Sequence, residues 1–138
     1  MRMYLILPVI FLLGLFPECE RDSIDVIDCT TAICTMEYRS VTVLIKHKED
    51  NSFFQLTDFK VIRVSDRKDI TVNHSDIAGT SGYYTVTNDS YTGLFRNKNV
   101  EIEFIGFMNN TIVIQKRFIV TADCCHISLV EGEVLFYL

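Results

Sequence analysis

Short apolar runs divided by polar turns make up the chain from residue 38 onward. The clearest run covers Asn99–Phe107, in which valine, isoleucine and phenylalanine alternate with glutamates as in a half-buried β-strand. Turn-forming residues recur roughly every 8–12 positions. The predicted strands are Tyr38–His47, Phe53–Val64, Ile70–Val72, Tyr83–Thr87, Asn99–Phe107, Ile112–Thr121, Cys125–Val130 and Val134–Leu138.

Helical periodicity is almost absent from this pattern. One helical turn is predicted over Tyr91–Phe95, with Ser90 as its N-terminal cap. Seven or eight short strands with this spacing favour an all-β sandwich or a small barrel over alternating strand–helix units. We therefore predict a single all-β domain over residues 37–138.

The same alternation assigns the faces of two later strands. At the start of the last but one strand, it predicts that His126 lies at the surface or at an edge. The residues predicted to face the core there are Cys125, Ile127 and Leu129. In the preceding strand, alternation predicts one apolar face, interrupted by Lys116 and formed by Ile112, Ile114, Phe118 and Val120.

The first residues of the chain differ from everything that follows. Met1 and Arg2 precede an almost unbroken apolar run, Met3–Phe16, and polar sequence begins at Glu18. This run is shorter than the ~17–25 residues that a helix needs to cross a bilayer. Its length matches the apolar region of a signal peptide, so we predict that residues 1–18 are an export signal.

Cys19 has the position of the acylated cysteine in bacterial lipoprotein signals. Those signals carry a small residue before the cysteine, where this chain has Glu18, so a soluble secreted form and an uncleaved anchor remain alternatives. Lipidation of Cys19 would also account for the odd number of cysteines, five in all. Residues 19–36 are then expected to form a tether that ends in a disulfide-bonded segment.

The remaining cysteines are Cys29, Cys34, Cys124 and Cys125, and they allow three pairings. A bond between the neighbours Cys124 and Cys125 would strain the peptide unit between them. The other two pairings both join the Cys29/Cys34 segment to the Cys124/Cys125 segment, and both remain open. Such bonds persist in oxidising compartments, which agrees with export.

Zinc and thiol chemistry are the alternatives to disulfides at these residues. Together with His126, the four cysteines include enough soft ligands for a tetrahedral zinc site. Successive residues on a strand point to opposite faces, however, so Cys124 and Cys125 would not easily converge on one ion. We therefore expect no metal, no cofactor and no catalytic residue, and keep a metal-binding or thiol-dependent protein as the alternative.

Charge argues against nucleic acid as a partner. The formal net charge is -5, and the basic residues are scattered along the chain without forming a basic stretch. Proteins that bind nucleic acids usually present a basic patch to the phosphates.

The C-terminal stretch Phe118–Gly132, with Ala-Asp-Cys-Cys-His-Ile at 122–127, resembles small uncharacterised lipoproteins of Bacteroidota-type Gram-negative bacteria. These proteins carry an N-terminal lipid signal and a C-terminal ADCCH(I/V) motif. The resemblance extends through Tyr38–Val43, Phe59–Val61 and Val100–Phe107. It implies an envelope location and an immunoglobulin-like or transthyretin-like β-sandwich, and it brings no activity with it.

These observations predict a non-enzymatic cell-envelope lipoprotein, lipid-anchored to the outer membrane, with secretion as the alternative location. Its domain would serve as a binding or structural module for a protein or glycan partner. Loops Lys48–Ser52 and Asn73–Gly82 are the candidate binding loops. Ile70–Val72 and Val134–Leu138 are the candidate edge strands that could accept a partner strand.

Overall fold

A computed structural model describes residues 28–72 and 82–138. Within them, seven strands form two sheets and one short helix follows the third strand, so the domain predicted to be all-β is mostly β. The predicted signal peptide, Cys19 and most of loop Asn73–Gly82 lie outside the described residues. The strands are β1 (Ser40–Lys46), β2 (Asp58–Arg63), β3 (Tyr83–Asn88), β4 (Val100–Met108), β5 (Thr111–Ala122), β6 (Ile127–Glu131) and β7 (Leu135–Tyr137).

The predicted helical turn is present, but Ser90 does not cap it. A 3-10 turn over Asp89–Tyr91 leads into α1 (Thr92–Phe95). Asn88 caps the 3-10 turn, because its side-chain oxygen accepts a hydrogen bond from the Ser90 N–H at 3.1 Å, whereas no side chain caps α1. Phe95, at the end of α1, is fully buried and anchors this segment to the core.

The first and last strands are neighbours. One sheet has the order β3-β1-β7, with β1 antiparallel to β3 and parallel to β7. The other has the order β2-β4-β5-β6 and is antiparallel throughout. Because β1 and β7 run in the same direction, the whole intervening chain connects them.

One hydrophobic cluster contains residues from both sheets. Alternate residues of β1 are buried, as a strand with one face on a core requires. The rings of Phe59, Tyr84 and Phe104 join the two sheets, with centroids 5.2 to 6.1 Å apart. The fully buried members include Val43, Ile45, Val61, Val86, Ile102, Phe104 and Val120.

Several strand-level predictions were wrong. The strand predicted over Phe53–Val64 begins only at Asp58. The pairing of β4 with β5 shifts register between Gly106 and Phe107, so Ile112 leaves the core face and is 53% exposed. The bulge places Val113 against the core in its stead. Residues 70–72 form no strand, because only Asp69 bridges to Ile62 there, although Ile70 is buried.

Candidate functional site

Two disulfides bring the distant cysteines together at the bend between β5 and β6. Cys29 is bonded to Cys124 and Cys34 to Cys125, with Cα–Cα distances of 5.3 Å in both pairs. This is one of the two cross-pairings that the sequence left open. The bonds fasten residues 28–36, which contain no helix or strand, to the four-stranded sheet. We refer to these four cysteines as the disulfide clamp.

A single carboxylate shapes the bend that carries Cys124 and Cys125. Asp123 Oδ1 accepts hydrogen bonds from the N–H groups of Cys125 and His126, both at 2.7 Å. The Asp123 N–H in turn donates to the His126 carbonyl at 3.1 Å. The bonds from the His126 and Cys125 N–H groups hold the pKa of Asp123 below its ordinary value, since they stabilise the charged form. Asp123 therefore determines how the two cysteines are presented.

His126 is buried, and its predicted position at the surface was wrong. Its relative exposure is 7%. The prediction assumed that residues 124–130 alternate as a strand, whereas β6 begins only at Ile127 and the bend turns the imidazole inward. Its Nδ1 lies 2.8 Å from Asp89 Oδ2, and its Nε2 lies 3.0 Å from Thr35 Oγ1.

Asp89 joins two distant parts of the chain to its own 3-10 turn. Besides contacting His126, it accepts hydrogen bonds from the backbone N–H groups of Arg39 and Ile127, each at 2.8 Å. Burial alone would raise the pKa of Asp89, but the bonds from His126, Arg39 and Ile127 outweigh it and hold that pKa below its ordinary value. We refer to Thr35, Asp89 and His126 as the polar cluster.

The polar cluster has the connectivity of a hydroxyl, an imidazole and a carboxylate in series. That order also occurs in Ser-His-Asp hydrolases, where paired N–H groups additionally stabilise the oxyanion. Here the neighbouring backbone N–H groups of Cys125 and His126 donate to Asp123, so this pair is not directed at a substrate oxygen. The bonds of the cluster also link the N-terminal segment, the 3-10 turn and the β5–β6 bend, which is a structural role.

The clamp leaves no thiolate at the residues considered for zinc, because all four cysteines are oxidised. Within residues 28–72 and 82–138, no group of three or more His, Cys, Asp or Glu side chains could hold a metal ion. Free thiols at these positions would therefore require reduction of the clamp.

A second polar group, on the outer face of the four-stranded sheet, was missed from the sequence. Glu103 is 3% exposed and contacts Gln115 at 2.9 Å, Arg67 at 3.0 Å and Arg117 at 3.5 Å. The bond from Gln115 lowers the pKa of Glu103, and the two guanidinium groups lower it further against the opposing effect of burial. Alternation had assigned Glu103 only to the polar face of β4.

Comparison with protein-family models, with curated proteins and with solved structures finds no match to this chain. In the part of the chain that the structure describes, no helix has the length and apolar character to cross a bilayer. Structural disulfides persist in oxidising compartments. Fold and clamp together therefore define a disulfide-linked, mostly β domain of an extracytoplasmic protein.

Proposed function

We propose that the chain is a non-enzymatic cell-envelope lipoprotein whose domain is an immunoglobulin-like or transthyretin-like β-sandwich and serves as a binding or structural module. The observation that carries this proposal is the disulfide clamp. It commits Cys124 and Cys125 to architecture and leaves the neighbouring His126 in a buried hydrogen-bonded position. Two sheets that share one hydrophobic cluster support the sandwich.

The lipid anchor at Cys19 rests on the signal-like N-terminus and on the place where the clamp begins. The chain between Cys19 and Cys29 reaches about 35 Å at full extension. An anchor at Cys19 would therefore keep the clamp end of the domain close to the membrane, on the periplasmic or the outer side. The opposite end, with loop Lys48–Ser52, would face away from the membrane.

Intact-mass analysis of non-reduced protein extracted from membranes tests this proposal. We expect the mass of residues 19–138 plus a lipid modification, reduced by the hydrogens lost in two disulfides. A Cys19→Ser variant is the matched control, and it should keep both disulfides but leave the membrane fraction. An unmodified Cys19 would overturn the anchor. Free thiols at the clamp would favour the metal-binding or thiol-dependent alternative centred on Cys124, Cys125 and His126.

A further inference from the structure

The outer face of the three-stranded sheet carries large apolar side chains in two rows. Leu44 pairs with Tyr83 of β3 on one side and with Leu135 of β7 on the other. In the next row, Lys46 pairs with Tyr137 and bridges to Phe53. Residues that pair directly across strands point to the same side of a sheet, so each row lies on one face. We call these six residues the aromatic face: Leu44, Lys46, Phe53, Tyr83, Leu135 and Tyr137.

This face is open to solvent. Phe53 is 47% exposed, Tyr83 42%, Leu135 43% and Tyr137 41%. The alternate residues Ile45, Tyr84 and Phe136 are buried in the core, so Tyr83, Leu135 and Tyr137 lie on the opposite side of the same strands, and Phe53 adjoins them through its bridge to Lys46. A solvated sheet face usually carries polar side chains, and an exposed apolar patch marks an interaction site.

Local geometry holds two of the rings together. The Phe53 and Tyr83 ring centroids are 5.9 Å apart. Gly82, with φ +64, allows this approach, because a Cβ there would lie 2.8 Å from the Ile45 carbonyl oxygen and 3.0 Å from the Phe53 Cβ. On the other side of Phe53, Asp50 accepts bonds from the Ser52 N–H and hydroxyl at 2.9 and 2.6 Å. Loop Lys48–Ser52 thus borders the face in a fixed conformation.

The area of the aromatic face limits the kind of ligand that it can bind. The exposed areas of Phe53, Tyr83, Tyr137 and Leu135 together amount to about 400 Å². A stable protein–protein interface buries roughly 800 Å² on each partner, so this face is too small to hold a second copy or another protein alone. Phe53 and Tyr137 lie on opposite sides of Lys46, each one strand spacing away from it. The distance between Phe53 and Tyr137 across the sheet is therefore two strand spacings, roughly 9–10 Å. That span suits every second sugar ring of an extended chain, so the two aromatic rings would contact alternate sugars.

We propose that the aromatic face binds a glycan. The C–H groups on one side of a sugar ring carry partial positive charge and pack against the electron-rich faces of Phe53, Tyr83 and Tyr137. The Lys46 ammonium and the tyrosine hydroxyls offer hydrogen bonds to the hydroxyl groups at the sugar's edge. This inference rests on the proposed function as a binding module and names the ligand class.

Affinity electrophoresis of the full chain in native gels tests the inference. The gels contain hydroxyethyl cellulose, α-mannan or polygalacturonate, which separate neutral from uronate-bearing polymers. We expect at least one polymer to retard the protein. Phe53→Ala, Tyr83→Ala and Tyr137→Ala should each weaken this retardation about tenfold. Tyr83→Phe, which keeps the ring, should retain it, whereas Tyr83→Leu should lose it.

The matched control is Tyr38→Ala, which removes a tyrosine that is 62% exposed and lies outside the aromatic face. It should bind like the parent protein, and every variant is compared only after its two disulfides and cooperative unfolding are verified. Absence of retardation by all three polymers, or equal retardation of the face variants, would overturn glycan binding. So would a dimer that Tyr83→Ala dissociates. The mass of membrane-extracted protein is independent of these outcomes and tests the lipoprotein separately.

Discussion

At the scale of single residues, Asp89 is the acceptor on which the clamp end of the domain depends. Its carboxylate receives bonds from two backbone N–H groups and contacts the His126 ring. We expect Asp89→Ala to lower the free energy of unfolding by about 2–4 kcal/mol, because three donors lose their acceptor. Urea titration of oxidised protein measures it. Asp58→Ala, which removes a single local bond to Phe59, should stay within about 0.5 kcal/mol of the parent.

Glu103 gives the domain a stability that depends on pH. Its pKa is lower in the folded chain, so its contribution is present above the ordinary glutamate pKa and disappears as pH falls through the lowered value. Glu103→Gln should therefore destabilise the domain by about 1–2 kcal/mol at neutral pH, and the difference should shrink in acid. Glu101→Gln, at the 43% exposed carboxylate nearby, should change stability by less than about 0.5 kcal/mol. Equal losses in the two variants would contradict this account.

The positions of single residues were predictable only where local alternation holds. His126 was misplaced because Asp123 replaces the expected strand with a bend. Its partner Asp89 lies 37 residues away in sequence, and nothing in the local pattern links the two. The cysteines were easier to pair, because the strain of joining two neighbours excludes one possibility at once.

At the scale of elements, Gly132 and Gly93 are opposite cases. A Cβ on Gly132, which has φ +132 between β6 and β7, would lie 2.5 Å from Phe118 Cδ1. Gly132→Ala should destabilise the domain by about 2–3 kcal/mol through backbone strain and displacement of a buried ring. Gly93 lies in α1 with no atom within 4 Å of an added Cβ, so Gly93→Ala should be neutral or stabilising by about 0.5 kcal/mol. Thermal unfolding of both variants checks the contrast.

The strands could be predicted from the sequence wherever apolar and polar residues alternate regularly. Alternation predicted β1 and β4 to within one or two residues of their observed bounds. It failed at the start of β5, because a bulge inserts one residue and exchanges the faces, and no sequence signal marked that bulge. It also failed at residues 70–72, where a single apolar side chain is buried without a strand.

At the scale of the whole molecule, the two disulfides should not contribute additively. Each spans a long stretch, 95 or 91 residues, when it is formed alone. Once one bond is present, the other closes only a small ring, which consists of residues 29–34, the Cys124–Cys125 peptide and the two disulfides. We expect removal of either bond by paired Cys→Ser substitution to destabilise the domain by about 2–3 kcal/mol, and removal of both by roughly 7 kcal/mol. Losses that simply sum in urea titrations would show that the bonds act independently.

The sequence predicted an all-β domain, and the structure is mostly β, but the arrangement of its strands was not predicted. Alternation shows which face of a strand is apolar, whereas the neighbour of each strand depends on contacts between distant segments. The parallel pairing of β1 with β7 and the aromatic face that it helps to form were therefore invisible before the structure. The clamp was the one long-range feature that the sequence indicated, through the number and positions of its cysteines.

The spacing of the clamp cysteines has a consequence for how the protein matures. Cys29 and Cys34 are close in sequence, and a bond between them closes a far smaller loop than either native bond, so the unfolded chain favours it entropically. Native pairing requires β5 and β6 to present Cys124 and Cys125 first. Correct oxidation thus follows folding, and a thiol catalyst that reopens the premature bond should accelerate production of the native protein.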